Sequence, residues 1–184
     1  VIIPGAVSGR RINMAQAAID DMYQSGKAYV ESWDTGAVRV GKVEPRHRDI
    51  PHKLIDAYAL SPAVRDMIMS ERVVRFLNLV FDSPALAFQS LYFEWGSEQA
   101  IHQDTAYVRV NRPMEMAGVW IAMEDIAEGS GELEYVVGSH RAPEYLFGGT
   151  SKWMPHHDMT EHPKFLTHLQ TEAERMGLRL ERFR

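Results

Sequence analysis

The stretch Ala100-Ile101-His102-Gln103-Asp104 opens a segment, Ala100–Val110, whose residues favour a β-strand. Side chains two positions apart on a strand leave the same face of the sheet. We therefore predict that the His102 imidazole and the Asp104 carboxylate point into the same space. One nitrogen and one oxygen donor placed in this way supply two of the three ligands of a 2-His-1-carboxylate metal site.

The segments on either side of this stretch indicate further antiparallel strands. Strands are predicted at Leu86–Trp95, Ala117–Glu124 and Glu132–Val137, and a tight turn is predicted at Glu128–Gly131. Several short strands separated by turns are typical of a sandwich or barrel of the jelly-roll type. The expected fold is therefore mainly β with flanking helices, an α+β arrangement.

The first part of the chain is predicted to be mostly helical. Apolar residues at helical spacing indicate helices, and Ser61-Pro62 is typical of a helix N-terminus. The predicted helices are Ile12–Ser25, Ala63–Met69 and Glu71–Phe81, and Leu54–Tyr58 is expected to lead into another. Short strand-like pieces lie within Tyr29–Val43. We expect a single domain over residues 1–184, with a helical part at about residues 1–84 and a β-core at residues 85–184.

The composition limits what this chain is expected to bind. With 184 residues, 45% of them hydrophobic and 24% charged, it is long enough and apolar enough for one globular domain with its own core. A net charge of -5 gives no reason to expect nucleic acid or a membrane as partner. Zero Cys excludes disulfides and thiol catalysis and is compatible with a cytoplasmic protein. Nothing in the sequence indicates an oligomeric state.

Four elements that follow one another in the chain resemble the phytanoyl-CoA dioxygenase family. They are His102-Gln103-Asp104, Trp120, Gly129-Ser130-Gly131-Glu132-Leu133 and Gly138-Ser139-His140-Arg141. The resemblance covers nearly the whole chain, and Val137 stands where the family usually has Pro. It implies an Fe(II)/2-oxoglutarate-dependent dioxygenase on a double-stranded β-helix, the jelly-roll or cupin-like fold. Such an enzyme uses O2 to hydroxylate a small organic substrate and releases succinate and CO2.

The resemblance also implies roles for individual residues. His102 and Asp104 are expected to bind the iron, and no catalytic residue is expected beyond the metal ligands. The residues expected to border the cosubstrate are Trp120, Gln89, Leu91 and Gln103. Candidates for contact with the substrate are Tyr107 and Lys53.

Two further family residues, a distal His that binds iron and an Arg that binds 2-oxoglutarate, are not matched. The strand predicted at Leu178–Phe183 resembles the strand that leads to them, so both are expected beyond Arg184 and the β-core is expected to be incomplete at its C-terminus. His140 is expected to lie in a turn that caps a strand. The remaining His residues of the irregular segment are His156, His157, His162 and His168. They are expected to be surface residues of a lid, with the alternative that one of them binds the substrate or the iron of a rearranged site.

Two functions of different classes fit these residues. The first is a hydroxylase that uses Fe(II) and 2-oxoglutarate. The second is a non-catalytic β-sandwich binding module that kept the fold and lost the metal triad. They differ in whether a His and then an Arg complete the site on later strands of the full-length protein.

Overall fold

The computed structural model describes residues 1–33, 38–96, 99–112, 115–155 and 158–183. The chain forms two compact units, Val1–Ser97 with Ile121–Asp125 and Glu98–Trp120 with Ile126–Arg184. The expectation of a single domain over residues 1–184 stays a prediction. Among the described residues, no helix is long and apolar enough to cross a membrane.

A long helix, α1 (Gly9–Ser25), begins the first unit. The Ser8 side chain accepts a hydrogen bond from the Arg11 backbone N–H at its start, and Gly26 ends it with a left-handed φ of 66°. The side chains that α1 buries are Ala15, Ile19, Met22 and Tyr23. This spacing is the apolar stripe that predicted a helix over Ile12–Ser25, and the prediction is confirmed.

The sheet of the first unit has four antiparallel strands in the order β2-β1-β3-β4. The strands are β1 (Tyr29–Ser32), β2 (Arg39–Lys42), β3 (His52–Ile55) and β4 (Leu91–Phe93). Val30 of β1 pairs with Leu54 of β3, and both side chains lie in one buried cluster with the inner face of α1. The first unit is therefore a helix packed on a sheet around a shared core.

Three shorter helices follow β3: α2 (Ala57–Leu60), α3 (Pro62–Ile68) and α4 (Glu71–Phe81). The predicted helix Glu71–Phe81 is confirmed, and so is the N-terminus at Ser61-Pro62, where the Val64 N–H donates to Ser61 Oγ. The prediction that Leu54–Tyr58 leads into a helix is only partly right. Leu54 and Ile55 complete β3, Asp56 turns the chain with a φ of 53°, and the helix begins at Ala57.

The second unit has less regular structure among its described residues. Strand β5 (Glu134–Val136) pairs antiparallel with β6 (Leu180–Arg182), and helix α5 (His162–Arg175) precedes β6. The buried core of this unit consists of Ala106, Phe147, Met154 and Phe165. The strands predicted at Glu132–Val137 and Leu178–Phe183 are thus present, each in a shorter form.

Three other predicted strands are wrong in part or in full. Leu86–Trp95 contains only β4, and the described residues of Ala117–Glu124 and Ala100–Val110 contain no strand. In Ala100–Val110 a 3₁₀ helix, Asp104–Ala106, takes its place, because the Ala106 and Tyr107 N–H groups donate to carbonyls three residues back. The strand-rich β-core expected at residues 85–184 is therefore not confirmed. The fold shown is one of helices and antiparallel sheets.

Candidate metal centre

The His102 and Asp104 side chains meet where the 3₁₀ helix Asp104–Ala106 begins. His102 Nε2 lies 3.3 Å from Asp104 Oδ1, at the long end for an N–H···O hydrogen bond. Gln103 is extended, with φ -118° and ψ 125°, and Asp104 starts the turn. The two side chains share the space that the sequence predicted, although a turn and not a strand brings them together.

A backbone carbonyl determines which nitrogen of the His102 ring carries the proton. The Nδ1 atom of His102 lies 2.7 Å from the Ala100 carbonyl oxygen. A carbonyl only accepts hydrogen bonds, so Nδ1 carries the proton and the lone pair of the neutral ring lies on Nε2. This is the arrangement in which metal-binding histidines are usually held. The Nε2 lone pair is therefore on the side of the ring that faces Asp104.

The electrostatics of the pair favour a positive charge at this place. When His102 is protonated on both nitrogens, its Nε2–H can donate to Asp104. This hydrogen bond raises the pKa of His102 and lowers the pKa of Asp104, while burial opposes both shifts. The His102 side chain is 26% exposed and the Asp104 side chain 55% exposed. A cation can thus reach the pair from solvent.

Gly118 leaves the room that the Asp104 carboxylate occupies. A Cβ atom at position 118 would lie 2.9 Å from Asp104 Oδ2, closer than real Cβ contacts come. Any other residue there would force the carboxylate to move. Sequence reasoning missed this residue. A lone Gly inside the apolar run Ala117–Glu124 was the available signal, because such a Gly often marks a close approach to the backbone.

Tyr107 packs against the His102 ring. The two rings meet edge to face with their centroids 5.4 Å apart, and the Tyr107 hydroxyl lies 2.8 Å from His162 Nε2. His162 was predicted to be a surface residue, but it is half-buried and bonded to Tyr107. No local signal could have shown this contact, since 55 residues separate its two partners.

The geometry of the pair fits a metal ion that takes nitrogen and oxygen ligands. Two ligand atoms each about 2.1 Å from one metal ion and at about a right angle lie roughly 3.0 Å apart. The observed 3.3 Å needs little adjustment to match. Within the ranges that the structure describes, no group of three His, Cys, Asp or Glu side chains could hold a metal ion. His156 and His157 lie outside the described residues. Within the described residues, His102 and Asp104 are therefore two candidate ligands.

Comparison with known proteins assigns the family. The family model described as phytanoyl-CoA dioxygenase (PhyH) matches residues 1–175. The chain belongs to the phytanoyl-CoA dioxygenase family.

Two curated members share part of its sequence. The chain is 30% identical over 101 residues to phytanoyl-CoA dioxygenase domain-containing protein 1 of Bos taurus. The matched region covers 53% of this chain and 33% of that protein.

The second curated relative is the phytanoyl-CoA dioxygenase domain-containing protein 1 homolog of Caenorhabditis briggsae. It is 27% identical over 89 residues, which cover 46% of this chain and 31% of that protein. The matched region thus spans about a third of the length of these relatives. No solved structure matches the chain significantly.

Trp120 and Gln103 are expected from the resemblance to border the cosubstrate. Both lie in the same unit as His102 and Asp104. The Trp120 side chain is 39% exposed, and its ring meets that of Phe183 edge to face at 5.1 Å. Trp120 follows Gly118 by two positions, so its segment passes the Asp104 carboxylate. Gln103 accepts a hydrogen bond from the Ala106 N–H through its carbonyl and so begins the turn. Their contacts with cosubstrate stay predictions.

The other family-pattern residues lie in the first unit. Lys53 of β3 forms an ion pair with Glu31 of β1 at 2.8 Å and is mostly buried. Leu91 begins β4 opposite Ile55, whereas Gln89 is exposed and precedes the strand. Both residues fall in the predicted strand Leu86–Trp95, but β4 starts only at Leu91, so Gln89 does not belong to a strand. Contacts of Lys53, Gln89 and Leu91 with bound molecules stay predictions.

Proposed function

We propose that this chain carries the iron site of an Fe(II)- and 2-oxoglutarate-dependent dioxygenase that hydroxylates a small organic molecule. The observation that carries the proposal is the pair His102 Nε2 and Asp104 Oδ1, 3.3 Å apart, in a chain of the phytanoyl-CoA dioxygenase family. The proposal includes the double-stranded β-helix of that family as the fold of the full-length protein.

In the proposed site, His102 and Asp104 hold the metal. Bound Fe(II), with 2-oxoglutarate and O2, supplies the oxidation that hydroxylates the substrate and releases succinate and CO2. His102 offers Nε2 because the Ala100 carbonyl keeps the proton on Nδ1. Asp104 contributes a negative charge, and Gly118 leaves the space for it. We propose that the third ligand is a His outside the described residues.

The same proposal assigns the remaining family-pattern residues to the bound molecules. Trp120 offers a partly exposed indole beside the Gly118 segment and is proposed to border 2-oxoglutarate, together with Gln103, Leu91 and Gln89. Lys53 is proposed to contact a carboxylate of a bound molecule. Its ammonium already pairs with Glu31, so a bound carboxylate would compete with that ion pair.

The test is the turnover of 2-oxoglutarate by the full-length protein with Fe(II) and O2, measured as succinate formed. The wild type is expected to form succinate, and His102→Ala and Asp104→Ala are expected to lower the rate by at least about 100-fold, because each removes a metal ligand. The matched control is His140→Ala, which alters an exposed His in the turn after β5. It should retain the wild-type rate.

The possible outcomes separate the two functions. Equal succinate yields from the wild type and His102→Ala would show that the pair does not hold the catalytic metal. No succinate from a folded wild type that still binds 2-oxoglutarate would favour the non-catalytic binding module.

A further inference from the structure

Tyr107 connects the His102 ligand to helix α5. The Tyr107 ring meets the His102 ring edge to face, with the centroids 5.4 Å apart and the planes at 78°. Its hydroxyl lies 2.8 Å from His162 Nε2, and His162 is the first residue of α5. The side chain therefore spans from a proposed iron ligand to the start of a helix.

Both ends of this connection are fixed by the core of the second unit. The Tyr107 N–H donates to the Asp104 carbonyl at 2.9 Å, and the Met154 N–H donates to the Ala106 carbonyl at 2.9 Å. On α5, Phe165 is almost fully buried, and its ring lies 6.4 Å from both the Tyr107 ring and the His162 ring. The hydrogen bond between Tyr107 and His162 thus joins two anchored segments.

Two polar contacts meet the nitrogen atoms of the His102 ring. Its Nδ1 atom is held by the Ala100 carbonyl, and its Nε2 atom faces Asp104. A hydrogen bond at one ring nitrogen leaves the plane of the imidazole free to tilt, so a neighbouring ring is needed to set that plane. Tyr107 is the aromatic residue that meets the His102 ring among those the structure describes.

We propose that Tyr107 and His162 are a positioning pair for the His102 ligand. His162 holds the Tyr107 hydroxyl, and the held Tyr107 ring keeps the His102 imidazole in the plane in which Nε2 binds the metal. This inference rests on the proposed function, because it assumes a metal ion bound by His102. Neither residue touches the metal in this arrangement, so both act through His102.

The test measures metal affinity in the full-length protein by titration with Co(II) in the absence of cosubstrate, followed by visible absorbance. Tyr107→Phe keeps the ring and removes the hydroxyl, and His162→Ala removes its partner. Each is expected to weaken Co(II) binding by about 10-fold, the effect typical of losing an outer partner of a metal ligand. The double variant should be no weaker than either single one, since both changes break the same bond.

A conservative variant and two matched controls distinguish positioning from general packing. His162→Gln retains a side chain that can bond the Tyr107 hydroxyl and is expected to restore most of the affinity. Tyr145→Phe and His168→Ala change a Tyr and a His of the same aromatic cluster. Those two rings lie 5.5 Å apart, and His168 Nε2 lies 2.8 Å from the Pro143 carbonyl oxygen. Both control variants should bind Co(II) within about twofold of the wild type.

The outcomes tell failure of this inference from failure of the proposed function. If His102→Ala abolishes Co(II) binding while Tyr107→Phe and His162→Ala leave it unchanged, only the positioning role is overturned. Equal losses in the test and control variants would overturn it too, because they would report loosened packing. If His102→Ala leaves Co(II) binding unchanged, the proposed function is overturned, and this inference falls with it.

Discussion

The Tyr23 hydroxyl and His52 Nε2 share a hydrogen bond in the core of the first unit, where the two residues are 2% and 1% exposed. His52 Nδ1 lies 2.9 Å from the Ile50 carbonyl oxygen, so Nδ1 carries the proton and Nε2 accepts from Tyr23. Burial lowers the pKa of His52 and raises the pKa of Tyr23. The folded protein therefore holds both groups uncharged near neutral pH.

This buried histidine predicts that the free energy of unfolding falls as the pH drops below about 6.5. The unfolded chain binds a proton at His52 in that range, whereas the folded chain does so only at lower pH, because burial lowers the pKa of His52. The loss is at most about 1.4 kcal/mol for each pH unit between the two pKa values. Urea unfolding at about pH 7.5 and about pH 5.5 measures it.

The comparison for this prediction is His52→Gln, which removes the titrating ring. Other groups contribute to the pH dependence of both proteins and cancel in the difference. The variant should therefore lose less stability than the wild type on acidification, whatever its stability at neutral pH. An identical loss in the two proteins would show that His52 titrates alike in the folded and unfolded states.

Arg48 contacts two carboxylates and an aromatic ring of the first unit. It forms ion pairs with Asp20 of α1 and Glu94, the latter at 2.7 Å, and its guanidinium carbon lies 4.2 Å from the centre of the Tyr23 ring. A lysine ammonium cannot make both ion pairs and stack on the ring at once. Arg48→Lys is therefore expected to lower the free energy of unfolding by about 1 kcal/mol.

Urea unfolding at low and high salt measures the effect of Arg48→Lys. The difference from the wild type should shrink at high salt, because the pairs are partly exposed and salt screens them. Arg39→Lys, an exposed residue of β2, is the control and should change stability by less than about 0.5 kcal/mol. A change of similar size at both positions would rule out a special role for the Arg48 contacts.

Ser61 and Ser70 each precede a helix but have different surroundings. Ser61 Oγ accepts a hydrogen bond from the Val64 N–H at the start of α3. Ser70 is fully buried before α4, and its Oγ has no hydrogen-bond partner among the described residues. Ser61→Ala should cost about 1 kcal/mol of stability, because it removes a helix cap.

The matched change, Ser70→Ala, should be neutral or stabilising by up to about 1 kcal/mol, since it removes a buried hydroxyl without a partner. Thermal or urea unfolding of the two variants measures the contrast. Equal destabilisation by both would mean that the Ser70 hydroxyl has a partner in solution, such as an ordered water molecule.

The sequence predicted the helices of the first unit better than the strands around His102 and Asp104. Helix α4 begins and ends at the predicted residues Glu71 and Phe81, because apolar spacing and terminal residues are local signals. The segment Ala100–Val110 has an equally suggestive pattern, yet a strand forms only where a neighbouring strand takes its hydrogen bonds. Here the chain closes its own bonds in a 3₁₀ turn.

The approach of His102 to Asp104 was predictable from the sequence, but the residues that support the two side chains were not. His102 and Asp104 are two positions apart, so either a strand or a turn can bring their side chains together. The residues that hold them are distant in sequence: Gly118 beside Asp104 and, through Tyr107, His162 on α5. Such contacts depend on tertiary packing, which no local pattern encodes.

The contact between Gly118 and Asp104 gives the last prediction. In Gly118→Ala the new Cβ would meet Asp104 Oδ2 at 2.9 Å, and the half-exposed carboxylate can avoid it by rotating into solvent. Stability should therefore change by less than about 1 kcal/mol, while Co(II) affinity should fall by about 10-fold or more, because the ligand leaves its position. Gly41→Ala is the control: its Cβ meets nothing within 4 Å, so it should leave Co(II) affinity unchanged. If Gly118→Ala bound Co(II) as tightly as the wild type, then Asp104 would not bind the metal from the position seen here.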